Sequence, residues 1–144
     1  MSRARVLFLC IGNSCRSQMA EGFARAYGSD VMEPLSAGLF PASVVAPLTK
    51  KVMLAKNIDL SQASPKSLSE IALDGVDIIV NMSGQKLAAG PSATVEEWTV
   101  RDPIGEKESV YEDVAGDIER RVMSLILTLR KRESGFDAPR RRPG

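Results

Sequence analysis

The sequence predicts a single α/β domain, a parallel sheet with helices on both faces, and three observations lead there. Short apolar runs of the kind that buried parallel strands use, Arg5 to Leu9 and Val76 to Met82, alternate with segments of helical apolar spacing. Strands separated by helices need crossover connections, which lay the helices over the sheet. A chain of 144 residues with 44 % hydrophobic and 26 % charged side chains suits one core under a solvated surface. The domain is expected over residues 1–133, followed by a flexible basic tail over 134–144.

Arg5 to Leu9 reads as a central strand that runs into the short polar loop Cys10-Ile11-Gly12-Asn13-Ser14-Cys15. Ser17 is placed to cap the next helix, with Ala20, Phe23, Ala24 and Tyr27 at helical spacing and Gly28 as the stop. Val31 to Ser36 reads as a second strand, with Ala37-Gly38 turning out of it. Pro47 suits the first turn of a second helix whose buried stripe is Leu48, Val52 and Ala55. Ile58 to Leu73 reads as a loop with a short helix, broken at Pro65. Val76 to Met82 and Val95 to Val100 are the third and fourth strands, with a Gly- and Pro-containing loop between them. The last helix is the clearest, because Val114, Ile118, Val122, Leu125 and Leu129 form one continuous stripe. Beyond Glu133 the pattern dissolves into Gly135, Pro139 and three arginines at 140–142, either a solvated tail or a contact for an acidic partner.

Composition narrows the chemistry. The net charge of +1 gives no reason to expect a nucleic-acid surface, and no apolar run approaches the roughly 20 residues that span a bilayer. The N-terminus shows no cleavage site, and two nearby cysteines make no disulfide framework, so a reducing cytoplasm is the expected location. Histidine is absent, which removes Ser-His-Asp and Cys-His hydrolases and every histidine metal site. Two cysteines are too few for a thiolate zinc site, so no metal is expected. Acid–base work falls to Asp, Glu, Lys, Tyr or Cys.

Within that inventory the loop after the first strand stands out. A strand that ends in a tight loop and opens a helix gathers backbone N–H groups and the positive helix end around one point. The amides from Ile11 to Cys15, with the Ser17 hydroxyl, form the expected oxyanion cradle. Gly12 and Asn13 tolerate the positive φ that such closure needs. Cys10 at the strand end has a helix N-terminus and the Arg16 cation beside it, and both favour its thiolate. Arg16 offers a planar fork to two oxygens of a bound anion. Together they describe a nucleophile aimed at a bound phosphate, rather than an inert apolar cysteine. Ser17 is expected both to donate to the Cys10 thiolate and to cap the helix. Cys15 reads equally as packing or as a reversible disulfide partner that shields Cys10. Cleaving a phosphomonoester also needs a proton donor, and Asp102, ahead of Pro103 and after the last strand, is the candidate acid and later base.

These residues resemble a known family. Cys10-Ile-Gly-Asn-Ser-Cys15-Arg16-Ser17 followed by Met19-Ala20-Glu21 is similar to the signature of the low-molecular-weight protein tyrosine phosphatases. Ser36-Ala37-Gly38 and Asp102-Pro103 match later landmarks in the right order, from about residue 4 to 130. The resemblance implies a four-stranded parallel sheet in the order 2-1-3-4, a Cys10 phospho-enzyme intermediate, Arg16 as clamp and Asp102 as acid and base. It also implies that Asn13 holds the loop through a hydrogen bond with Ser36.

The same fold and loop serve arsenate reductases similar to these phosphatases, since arsenate has nearly the shape and charge of phosphate. Their thioredoxin-linked branch carries two further cysteines after the third strand, where this chain reads Asn81-Met82-Ser83-Gly84-Gln85. Many of the phosphatases place an aromatic residue after Asp-Pro and another on the loop after the second strand. This chain has Ile104-Gly105, with Phe40 the nearest loop aromatic, which together with Trp98 looks closer to the reductase-like branch.

The first functional expectation is therefore a cysteine phosphatase without a cofactor, acting on a phosphorylated protein or a small phosphomonoester. The alternative is arsenate reduction from the same Cys10, with Cys15 or an external thiol, such as thioredoxin or glutaredoxin, as the resolving group. The third is a non-catalytic phosphate-binding module that needs only Arg16 and the loop amides.

Overall fold

The structure is a computed structural model of the chain and describes residues 3–87 and 92–133. Strand β1 spans Ala4–Cys10, helix α1 Arg16–Gly28, β2 Met32–Gly38, α2 Pro47–Leu54, β3 Ile78–Asn81, β4 Thr94–Glu97 and α3 Glu108–Glu133. The strands form one sheet in the order β2-β1-β3-β4, and each neighbouring pair is parallel. This is the order the resemblance implied.

β1 is the axis of the core. Its side chains alternate between the two faces of the sheet, as a period of two requires. Val6, Phe8 and Cys10 join the larger cluster with Met19 and Phe23 of α1, Val52 and Met53 of α2, and the buried stripe of α3. Leu7 and Leu9 face the other way, into a smaller cluster with Ala37 and Ile79. The α-helices thus cover one face. On the other, two 3-10 helical turns, Leu68–Glu70 and Leu73–Gly75, bring Leu68 and Leu73 against that cluster.

Local signals account for most boundaries. Pro47 opens α2 at its first turn, and all five residues of the α3 stripe are buried. β2 continues through Ala37-Gly38, where a turn was expected, because both residues pair with the end of β1. β3 and β4 are shorter than their apolar runs, and the burial of α2 falls on Thr49, Val52 and Met53 rather than on Leu48 and Ala55. Leu48 is only half-buried, and Ala55 lies past the last helical turn. The tail expected over 134–144 lies outside the described residues. Among the described residues, no helix is long and apolar enough to cross a membrane.

This topology positions the site. The chain leaves β1 toward β2 on one side and returns to β3 on the other, so the winding reverses at β1 and opens a crevice at its carboxyl end. Cys10 is the last residue of β1.

Candidate active site

From Cys10 the chain closes a tight loop and enters α1 at Arg16. The Ile11, Gly12 and Ser14 carbonyls accept hydrogen bonds from the amides of Phe40 (2.8 Å), Ala42 (2.9 Å) and Ala46 (3.0 Å). Because C=O and N–H point oppositely across a trans peptide, this turns the Gly12, Asn13 and Cys15 amides away from the 39–46 segment. The loop therefore presents these donors on its other side, at the N-terminus of a 13-residue helix.

The left-handed residue in this loop is Asn13, with φ of 51°, and Gly12 is not among the residues of positive φ. A short polar side chain makes that conformation tolerable by bonding locally. Asn13 is fully buried and does so: Nδ2 donates to Ser17 Oγ (2.7 Å), and Oδ1 accepts from Gln18 Nε2 (3.1 Å) and from the Lys66 amide (2.8 Å). Gln18 Nε2 also donates to the Asn13 and Ser64 carbonyls, each at 3.2 Å.

Two expectations are corrected here. Ser36 does not bond Asn13; its hydroxyl donates to Glu21, whose carboxylate also holds Arg25 at 2.6 Å. One turn into α1, Glu21 offers Ser36 a charged acceptor, which outcompetes a neutral amide. Ser17 is not the helix cap either. The cap position is Cys15, without a side-chain cap bond, and Ser17 lies within the helix. Its hydroxyl accepts from Asn13 and shares a hydrogen bond with Cys10 Sγ at 2.9 Å.

Cys10 is almost fully buried at the base of an open cavity of about 230 Å³. Residues 10–12 and 14–16 line one side; Ala42, Asp102 and Ile104 line the other. Arg16 is 8 % exposed, and Nη1 donates to the Met82 (2.7 Å) and Val100 (3.2 Å) carbonyls, past the ends of β3 and β4. Its Nη2 lies 3.6 Å from Asp102 Oδ2. One edge of the guanidinium is thus pinned by buried carbonyls while the other faces the cavity. Asp102 is half exposed at the mouth, and its other oxygen accepts the Ile104 amide at 3.1 Å. The structure brings Cys10, Arg16 and Asp102 to one cavity, although Asp102 is far from the other two in sequence.

Cys15 lies in the core, 2 % exposed, and both thiols are free. Burial pushes its thiol up to about 12, and the nearby Cys10 sulfur adds to the rise. It is a protonated thiol at neutral pH. Phe40 is exposed on the 39–46 segment and does not line the cavity, whose lining holds no aromatic side chain.

Several contributors escaped sequence reading. The Met82 and Val100 carbonyls and the Lys66 amide are main-chain groups, which no side-chain pattern reveals. Gln18 and Glu21 stand in the quoted signature or beside it, yet their partners become visible only in three dimensions. Gly38 also gains a role, since it pairs with Cys10 across the β1–β2 ladder. A Cβ there would fall 2.6 Å from the Ile11 carbonyl oxygen and 2.9 Å from the Asn13 nitrogen, so the loop backbone would have to move. Gly38→Ala is expected to destabilise the domain by about 1–3 kcal/mol, the usual scale of overpacking. It should also lower turnover by more than the lost folded fraction accounts for, which denaturant titration alongside initial rates would show.

A family model for low molecular weight phosphotyrosine protein phosphatases matches residues 5–134. The glutaredoxin arsenate reductase of Synechocystis sp. is 33 % identical over 126 residues, spanning 85 % of this chain and 95 % of that protein. An arsenate reductase of Shouchella clausii is 36 % identical over 138 residues, spanning 89 % and 99 % respectively. Among solved structures, an arsenate reductase in its phosphate-binding state matches with a TM-score of 0.80 at 32 % identity, covering 88 % of this chain and 98 % of that one. With the family model covering nearly the whole chain and relatives of this identity aligned end to end, the chain belongs to the low molecular weight phosphotyrosine protein phosphatase family.

Proposed function

We propose that this member of the family is an arsenate reductase that relies on an external thiol. The observation that carries the reading is the likeness, over most of their length, to relatives named arsenate reductases, one of them a glutaredoxin arsenate reductase. The site chemistry agrees with it. Arsenate is a tetrahedral oxyanion, and the loop amides with the cavity-lining Arg16 guanidinium suit its oxygens. Cys10 Sγ attacks arsenic, an arsenic–oxygen bond breaks, and water leaves once its oxygen is protonated. A second thiolate then attacks Cys10 Sγ. The sulfur–arsenic bond breaks with its electron pair staying on arsenic, which releases arsenite and leaves a mixed disulfide. A further thiol from the reductant frees Cys10, so arsenate gains two electrons and two thiols become one disulfide.

The resolving thiol comes from outside the chain. Only Cys10 and Cys15 are present, and Cys15 is a buried, protonated thiol. Glutaredoxin or thioredoxin supplies the electrons, and no prosthetic group takes part. Phosphomonoester hydrolysis, the first expectation from sequence, becomes the second reading. It is favoured by Asp102 standing at the mouth beside Arg16, where a leaving oxygen would need its proton. The aliphatic wall of Ala42 and Ile104 offers an aromatic ring no stacking partner.

Paired assays on Asp102→Asn and Cys15→Ala test this. Arsenite formation with glutaredoxin should persist in both variants, because arsenate carries a proton of its own near neutral pH and Cys15 takes no part in the relay. Hydrolysis of p-nitrophenyl phosphate should be slow in the parent and fall about 10²–10⁴-fold in Asp102→Asn, the scale of general-acid loss. Fast ester turnover with no arsenite would reverse the ranking. Loss of arsenite formation in Cys15→Ala would make Cys15 the resolving thiol.

A further inference from the structure

The external thiol must reach a sulfur that is 3 % exposed at the base of a cavity, and the surface around the opening indicates what carries it. Three of the exposed large apolar side chains among the described residues stand on the two segments that contribute Ala42 and Ile104 to the cavity lining: Phe40 at 73 %, Val44 at 61 % and Ile104 at 48 %. Phe40 and Val44 stand on the 39–46 segment, whose amides at 40, 42 and 46 are bonded to the loop beneath. Ile104 and Ala42 form the lip itself.

Neither Phe40 nor Val44 lines the cavity, so neither contributes to holding an oxyanion there. Nor are they needed for packing, since each is more than half exposed. Apolar side chains gathered around a functional opening mark a protein contact, in which an aromatic anchor at the centre carries much of the binding energy. A small, charged thiol compound gains little from apolar groups that lie outside the pocket it enters. A protein gains from them, because its thiol enters the cavity while its surface covers the rim.

Resting on the reading of the chain as an arsenate reductase, we infer that Phe40 and Val44, with Ile104, form the docking rim for a dithiol protein reductant. One cysteine of that protein enters the cavity and takes Cys10 Sγ from arsenic as a mixed disulfide, releasing arsenite. The protein's second cysteine then attacks its own first sulfur, which leaves as a disulfide and returns Cys10 as a thiolate. Both reducing equivalents come from the one docked partner.

The test uses the full chain and the double variant Phe40→Ser/Val44→Ser, whose changes are on the surface and outside the catalytic cavity. Arsenite release is followed with three reductants: a dithiol glutaredoxin, a thioredoxin and dithiothreitol. The KM for the protein reductant that serves the parent should rise about tenfold or more, as when interface anchors are truncated. The KM for arsenate and the dithiothreitol-supported rate should stay at parental values. An unchanged KM for the protein reductant, or an equal loss with dithiothreitol, would overturn the docking rim. Parental activity with dithiothreitol but with neither protein would overturn the protein partner while leaving the arsenate reductase reading in place. A parent that makes no arsenite with any reductant would refute that reading, and the rim would fall with it.

Discussion

Replacing Cys10 by serine is expected to lower arsenite formation by at least about 10⁴-fold, the scale on which removal of a nucleophile acts. The chemistry leaves no substitute. The oxygen of a serine can attack arsenic, but no thiol can then take that oxygen as a disulfide partner, so the electron pair has no route to arsenic. Oxyanion binding should survive the change. In the proposed cradle the loop amides and the Arg16 guanidinium hold the anion, and the neighbouring Ser17 and Asn13 remain bonded to each other. Isothermal titration with phosphate should return nearly the parental affinity. A Cys10→Ser protein that still makes arsenite would remove Cys10 from the mechanism. One that fails to bind phosphate would show that the sulfur also shapes the loop.

The second large effect is expected from Arg16→Lys. Arg16 is held by one edge to the Met82 and Val100 carbonyls and presents the other toward the cavity near Asp102. A lysine ammonium is a point charge on a flexible stem and cannot serve the buried carbonyls and two substrate oxygens at once. Activity should fall about 10²–10³-fold in kcat/KM, as when a preorganised oxyanion donor is lost. Stability should fall too, by about 1–3 kcal/mol, because at least one buried carbonyl loses its partner. The combination is diagnostic. A drop in kcat/KM without a drop in stability would mean that the carbonyl anchor carries no folding energy, and the reverse would mean that the guanidinium binds no substrate.

The residues that the structure gathers at one cavity, Cys10, Arg16 and Asp102, were largely legible from the sequence. Cys10 and Arg16 close the two ends of one short loop between a strand and a helix, so local pattern alone brings them together. Asp102 was found by elimination, since a chain without histidine has few proton donors and this one follows a strand end. The α3 stripe was equally plain, because its period is set by the helix itself. The Ser36 partner was misassigned for the opposite reason: its hydroxyl donates to Glu21, whose position depends on how α1 packs against the sheet. The role of Cys15 stayed open in the sequence, because a cysteine beside a catalytic loop reads the same whether it faces solvent or core.

The parallel α/β fold and its strand–loop–helix junction at Cys10 were determined by the sequence itself, through short-range patterns whose meaning does not depend on distant residues. Apolar runs of strand length, helical stripes and a strand–loop–helix junction carry their geometry with them. Tertiary packing alone decided the rest. The carbonyls that pin Arg16 are main-chain atoms from two other strand ends, the left-handed Asn13 is secured by Ser17, Gln18 and the distant Lys66 amide, and the burial of Cys15 comes from surrounding core side chains. Each depends on which groups a fold brings within a few ångströms and shuts away from water, and residue identity along the chain does not encode that one position at a time.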